Sequence, residues 1–135
     1  MGAKRAASAS LPGVTLDAGA LIALDRGDGR MIALLRQALS EGRKFRVPAG
    51  VVGQAWRDGR RQVTLSRFLR GTEVDVVPLD DRLARAAGEL CGVTRTADVI
   101  DATVVLVARG TRDVIVTGDP ADLRRLDPSA PIAVL

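Results

Sequence analysis

Two rhythms of apolar residues alternate along this chain from one end to the other. Short apolar-rich runs suit strands buried on both faces: GVTLD at 13–17, KFRVP at 44–48, EVDVVPL at 73–79, DVIVT at 113–117 and PIAVL at 131–135. Between them lie stretches with helical spacing: AGALIALDR at 18–26, DGRMIALLRQALSEG at 28–42, AGVVGQAWRDG at 49–59, QVTLSRFLRG at 62–71, DDRLARAAGELCG at 80–92, residues 97–109, and GDPADLRRL at 118–126. Terminal signals support several of them. Gly42 and Gly92 read as stops, the acidic pair Asp80 and Asp81 suits a helix N-terminus, and Pro120 suits a first turn. The alternation predicts an α/β domain, a three-layer α/β/α sandwich around a parallel sheet of about five strands. No repeat or linker interrupts residues 13–135, which read as one domain. Residues 1–12 are basic and small without an apolar h-region, so they read as a flexible tail and not a signal peptide.

One helix carries an anomaly. In TADVIDATVVLVA, residues 96–108, two aspartates stand at the entrance to a greasy run. Carboxylates beside so much valine are costly to bury unless something pairs with them. Asp98 and Asp101 are three apart and share a helix face at the N-terminal end, where the backbone favours negative charge. Two strands also end in aspartate, Asp17 after VTL and Asp119 after VIVTG. Ligands of open parallel sheets gather at the carboxyl ends of the strands. If the helix start meets those ends, Asp17, Asp98, Asp101 and Asp119 converge, and a hard divalent cation, Mg²⁺ or Mn²⁺, relieves their repulsion. Each also has a plainer role: Asp98 and Asp119 as helix caps, Asp17 as a turn residue. Asp101, inside an apolar helix, is the hardest to assign otherwise.

Composition narrows the chemistry. The chain has no histidine, which removes Ser-His-Asp catalysis, histidine-pair RNA cleavage and histidine metal sites together. Its single cysteine, Cys91, builds neither an intramolecular disulfide nor a zinc site and reads as a small buried hydrophobe. With no tyrosine and only Trp56, Phe45 and Phe68 as aromatics, a base-stacking platform is absent. No apolar run approaches the roughly 20 residues that span a bilayer, so no membrane role is expected and the address is read as cytoplasmic. The net charge is +4, with lysine only at positions 4 and 44. The remaining cations are arginines, suited to phosphate and equally common on ordinary surfaces. A receiver-type phosphoacceptor site would need a lysine near the last strands, a haloacid-dehalogenase-like site needs D-x-D-x-T where this chain has DAGAL, and no phosphate-binding G-x-x-x-x-G-K-[ST] loop occurs.

The motifs LDAGALIAL, DVIDATVVLVA and VIVTGDPADL, in that order, resemble those of the PIN-domain ribonucleases, especially the VapC toxins of bacterial toxin–antitoxin pairs. The resemblance covers about residues 13–135, and the spacing of Asp101 and Asp119 fits that family's middle and late acids. It implies that Asp17 is the first-strand acid, Asp101 the central-helix acid with Asp98 as an additional or alternative ligand, and Asp119 the late acid. Thr117 occupies a polar position of the late motif that touches metal-bound water or substrate. In such nucleases the cluster holds Mg²⁺ or Mn²⁺, which activates water for attack on an RNA phosphodiester. One departure stands out: Gln54 occupies the place of a usual glutamate, keeping an oxygen but losing the charge. Asp58, one helical turn on, and Asp98 are both in position to restore it. Arg57, Arg60 and Arg61 nearby suit the RNA backbone, an acidic antitoxin segment, or simply solvent.

The expectation is a metal-dependent endoribonuclease of VapC type that acts on RNA, is neutralised by a VapB-like antitoxin protein and forms a homodimer. The alternative is a catalytically weakened PIN module that binds RNA or antitoxin without cleavage, which Gln54 favours. A small-molecule phosphatase on the same fold is a third reading.

Overall fold

The structure, a computed structural model, describes residues 11–135. The tail expected at 1–12 therefore falls largely outside the described residues. At its end, the Pro12 carbonyl accepts a hydrogen bond from Arg43 (2.8 Å).

The expected strands form as β1 (Val14–Leu16), β2 (Phe45–Pro48), β3 (Val74–Val77), β4 (Val114–Thr117) and β5 (Ile132–Val134). They make one sheet in the order β3-β2-β1-β4-β5, and every pairing is parallel. Parallel neighbours require crossovers, and the helices supply them. The first half of the chain contributes α1 (Ala18–Asp25), α2 (Gly29–Ser40), α3 (Ala49–Ala55) and α4 (Val63–Leu69). The second half contributes α5 (Asp81–Thr94), α6 (Val99–Thr111) and α7 (Pro120–Leu126). Helix α1 packs on α2, α3 and α4, whereas α5, α6 and α7 pack on one another, so helices flank the sheet in two groups. The three-layer α/β/α reading is borne out. Leu16, Phe45, Val47, Ile115 and Val116 from the strands meet Leu21, Met31, Leu65, Val104 and Leu123 from the helices, all essentially without exposed surface.

Most boundaries shift by a residue or two, and three of the shifts have a visible cause. Helix α5 continues through Gly92 to Thr94, because Arg95 takes the left-handed position (φ 57°) and its N–H closes on the Cys91 carbonyl. Helix α6 likewise passes Gly110 and ends on Arg112 (φ 59°). In both cases an arginine occupies the conformation that glycine usually fills. The third difference bears on the site. Helix α3 stops at Ala55, not at residue 59. The Gln62 side chain replaces the missing turn: its amide donates to the Ala55 carbonyl (2.8 Å), and its oxygen accepts from the backbone N–H of Arg57 (2.7 Å) and Asp58 (3.0 Å).

Candidate functional site

The chain turns one way from β1 to β2 and the other way to β4, so β1 and β4 flank the point where strand order reverses. Crevices form at the carboxyl ends of strands at such a point. The register sets Leu16 opposite Val116, which brings the next residues, Asp17 and Thr117, to neighbouring strand ends. Asp17 is nearly buried. Its Oδ1 accepts the Ala20 N–H (2.9 Å) as the N-cap of α1, and its Oδ2 accepts the Thr117 hydroxyl. The Thr117 oxygen in turn accepts the Asp119 N–H (2.9 Å). Thr117 thus clamps the two strand ends together.

Asp98 is the N-cap of α6 and accepts the Asp101 N–H (2.9 Å). Capping and crevice placement coexist, since Asp98 also lines the cavity. Asp119 precedes α7 but makes no side-chain capping bond, so capping does not occupy its carboxylate. Asp17, Asp98, Asp101 and Asp119 all line one crevice of about 380 Å³, together with Asp122, Gln54 and Arg57. Among the described residues none of these five aspartates forms an ion pair.

The electrostatics follow from that crowding. Burial, then repulsion from Asp98, Asp17, Asp122 and Asp119, pushes the Asp101 carboxyl up from 3.8 to about 6. Burial also raises Asp17, opposed by the hydrogen bonds from Thr117 and Ala20 and reinforced by Asp119. In both, burial is the larger cause and the repulsion of neighbouring acids the smaller.

The donor set is all oxygen and carboxylate-rich, which suits Mg²⁺ or Mn²⁺. Among the described residues, however, no three acidic groups stand close enough together to make a ready-made metal cluster. The carboxylates share the crevice walls without closing on one point.

Several expectations need correction. Thr117 has no exposed surface, and its hydroxyl is committed to Asp17 and Asp119, so it positions the acids. Asp58 lies beyond the end of α3 and does not line the crevice; its carboxylate accepts the Arg60 N–H (3.0 Å) and faces Arg61 at 3.8 Å. Of the three arginines only Arg57 lines the crevice, with its guanidinium against the carbonyls of Gly53 (3.1 Å) and Trp56 (2.7 Å). Gln54 stands in the wall. Asp122 was missed, although its position three residues after Asp119 on a helical stretch was the available signal.

No protein-family model and no curated protein matches the chain. Solved structures do. A chain of VapBC2 from Rickettsia felis, bound to a promoter DNA fragment, superposes with a TM-score of 0.66 over 90% of this chain and 98% of its own, at 13% identity. FitAcB from Neisseria gonorrhoeae matches at 0.60 over 88% and 95%, at 14% identity. VapC20 from Mycobacterium tuberculosis, a sarcin-ricin loop cleaving toxin, matches at 0.59 over 76% and 87%, at 23% identity. The chain shares the fold of these structures, a PIN-like three-layer α/β/α fold. At these identities the likeness is one of fold, and the chemistry rests on the crevice itself. Among the described residues, no helix of this PIN fold is long and apolar enough to cross a membrane.

Proposed function

We propose that the protein is a metal-dependent endoribonuclease toxin that hydrolyses RNA phosphodiester bonds and is restrained by a cognate antitoxin. The observation that carries this reading is the single crevice lined by five aspartates, none of them in an ion pair among the described residues, at the switch point of the sheet. The fold shared with an RNA-cleaving toxin and with the VapBC and FitAB structures supports both halves of it.

Asp17, Asp98, Asp101 and Asp119 would hold Mg²⁺ or Mn²⁺, with Asp122 beside them. When bound, the cation supplies charge neutralisation and Lewis acidity toward a phosphodiester oxygen and toward water. The chain's own residues do the rest. Thr117 and the Ala20 N–H fix the Asp17 carboxylate in one orientation. Asp101, pushed up to about 6 by burial and its acidic neighbours, would be held ionised by the cation and so serve as a ligand. Arg57, on the crevice wall, is placed to pair with a phosphate. Hydrolysis adds water across a P–O bond, its oxygen to phosphorus and a proton to the leaving oxygen. In the same reading the antitoxin covers the crevice, the toxin pairs as a homodimer, and both act in the cytoplasm.

A second reading has its own support. Gln54 places a neutral amide in the crevice wall where a further acid would add charge, and the acids do not close into a cluster. A weakened module that binds RNA or antitoxin without cleavage is consistent with both facts.

Incubating antitoxin-free protein with a structured RNA mixture, tRNA included, plus Mg²⁺ or Mn²⁺, separates the two. Cutting that disappears with EDTA and in Asp101→Asn is the expected result. Intact RNA from folded, RNA-binding protein would favour the second reading instead.

A further inference from the structure

The crevice is not the largest cavity at this end of the sheet. A second one, of about 600 Å³, lies on the far side of the acids. Asp98, Asp101 and Asp122 line both cavities and form the divide between them. The remaining wall has a different character: Arg95 and Arg125, together with Thr94, Thr96, Ala97 and Leu126. Among the described residues neither arginine forms an ion pair, although three aspartates line the same space. The Thr94 hydroxyl donates to the Leu90 carbonyl and lies 3.1 Å from that of Thr96. Arg95 is held at the end of α5 by the left-handed turn that closes the helix, and Arg125 sits in the last turn of α7.

Cations therefore flank the carboxylates on both sides, with Arg57 beyond them in the crevice and Arg95 with Arg125 in the second cavity. A small anion bound at the acids would need only one such partner. A polyanion crossing them has phosphates on either side of the reacting one, and each meets repulsion from the aspartates unless a cation holds it. Arginine suits that task through its planar array of donors. The cavity volume falls within the range of ordinary ligand pockets.

We propose that the second cavity is a strand-binding subsite, in which Arg95 and Arg125 hold the phosphate next to the one being cut. The strand then runs from Arg57 across the acids to Arg95 and Arg125. This rests on the nuclease reading and adds to it a direction of travel and a preference for single strands over mononucleotides. The two arginines are positioning residues.

The test is binding of a fluorescein-labelled, unstructured 12-nucleotide RNA between 50 and 200 mM salt, by wild type, Arg95→Gln/Arg125→Gln and Arg60→Gln/Arg61→Gln. Circular dichroism confirms folding of each. Each phosphate contact contributes about 0.7 to the salt slope for a single strand, so losing the one that the two arginines hold lowers the slope by about 0.7. Affinity falls at least about tenfold, while the Arg60/Arg61 variant changes less. Cleavage of the RNA mixture is followed in parallel, and the Arg95/Arg125 variant is expected to lose apparent affinity for substrate far more than its rate at saturation. A slope and affinity unchanged in Arg95→Gln/Arg125→Gln, with wild type still cutting, would overturn the subsite and leave the nuclease standing. Wild type that neither binds nor cuts RNA would overturn both.

Discussion

Asp101→Asn removes the charge on which the acids of the crevice converge, and its effect on stability runs opposite to that of most buried substitutions. Asparagine keeps the shape and mimics the protonated acid. In the unfolded chain the carboxyl titrates near 3.8; in the folded, metal-free protein it titrates near 6. A raised acid pKa means that the folded state binds the proton more tightly, so stability falls as pH rises from about 4 to 6 and the full cost persists above 6. A shift of that size corresponds to about 3 kcal/mol before screening. Asp101 is only half-buried, and solvent reduces the figure to roughly 1 to 1.5 kcal/mol. In EDTA at pH 8 the variant should therefore melt about 4 to 6 °C above wild type for a domain of this size. At pH 4.5, where wild type already carries the proton when folded, the gain should shrink by more than half. Adding Mn²⁺ at pH 8 should stabilise wild type and narrow the gap, since binding to the folded state alone adds stability. Thermal melts monitored by circular dichroism at the two pH values decide the matter. A variant less stable than wild type at pH 8, or a gain equal at both pH values, would refute the claim that crowded carboxylates strain this site.

Other perturbations probe the frame and the site separately. Asp113, with a fully buried side chain, accepts from Arg46 (2.7 Å) and from Thr15 (2.8 Å) before β4. Asp113→Ala should cost roughly 3 kcal/mol, read as a fall in the denaturation midpoint, because it leaves the Arg46 charge without its partner. Little change there would mean that Arg46 finds water at no cost. Thr117→Val keeps the shape but removes the donor to Asp17 and the acceptor of the Asp119 N–H. It should cost roughly 1 to 2 kcal/mol and raise the Asp17 pKa further, a rise that NMR titration of the carboxyl carbon would detect. Gln54→Glu adds a charge to the crevice wall and should tighten Mn²⁺ binding roughly tenfold by calorimetry. Unaltered affinity would show that Gln54 lies too far from the cation to matter.

The periodicity of the chain was enough to determine five short strands, the intervening helices and their parallel arrangement, because burial on two faces leaves an unmistakable apolar run. It also determined where four aspartates stand, at two strand ends and one helix start. Those are local facts, and local pattern carries them. What the acids face is not local. The reversal of strand order between β1 and β4 brings Asp17 within reach of Thr117, 100 residues away, and makes that threonine a buried clamp between the strand ends. The side chain of Gln62, reaching back to Ala55, ends α3 early and carries Asp58 away from the crevice, which no helical periodicity records. Docking of α7 against α6 adds Asp122 to the acids and brings Arg125 into the second cavity that they line. Sequence spacing decides which residues share an element face; the packing of elements separated by tens of residues decides which of those faces meet.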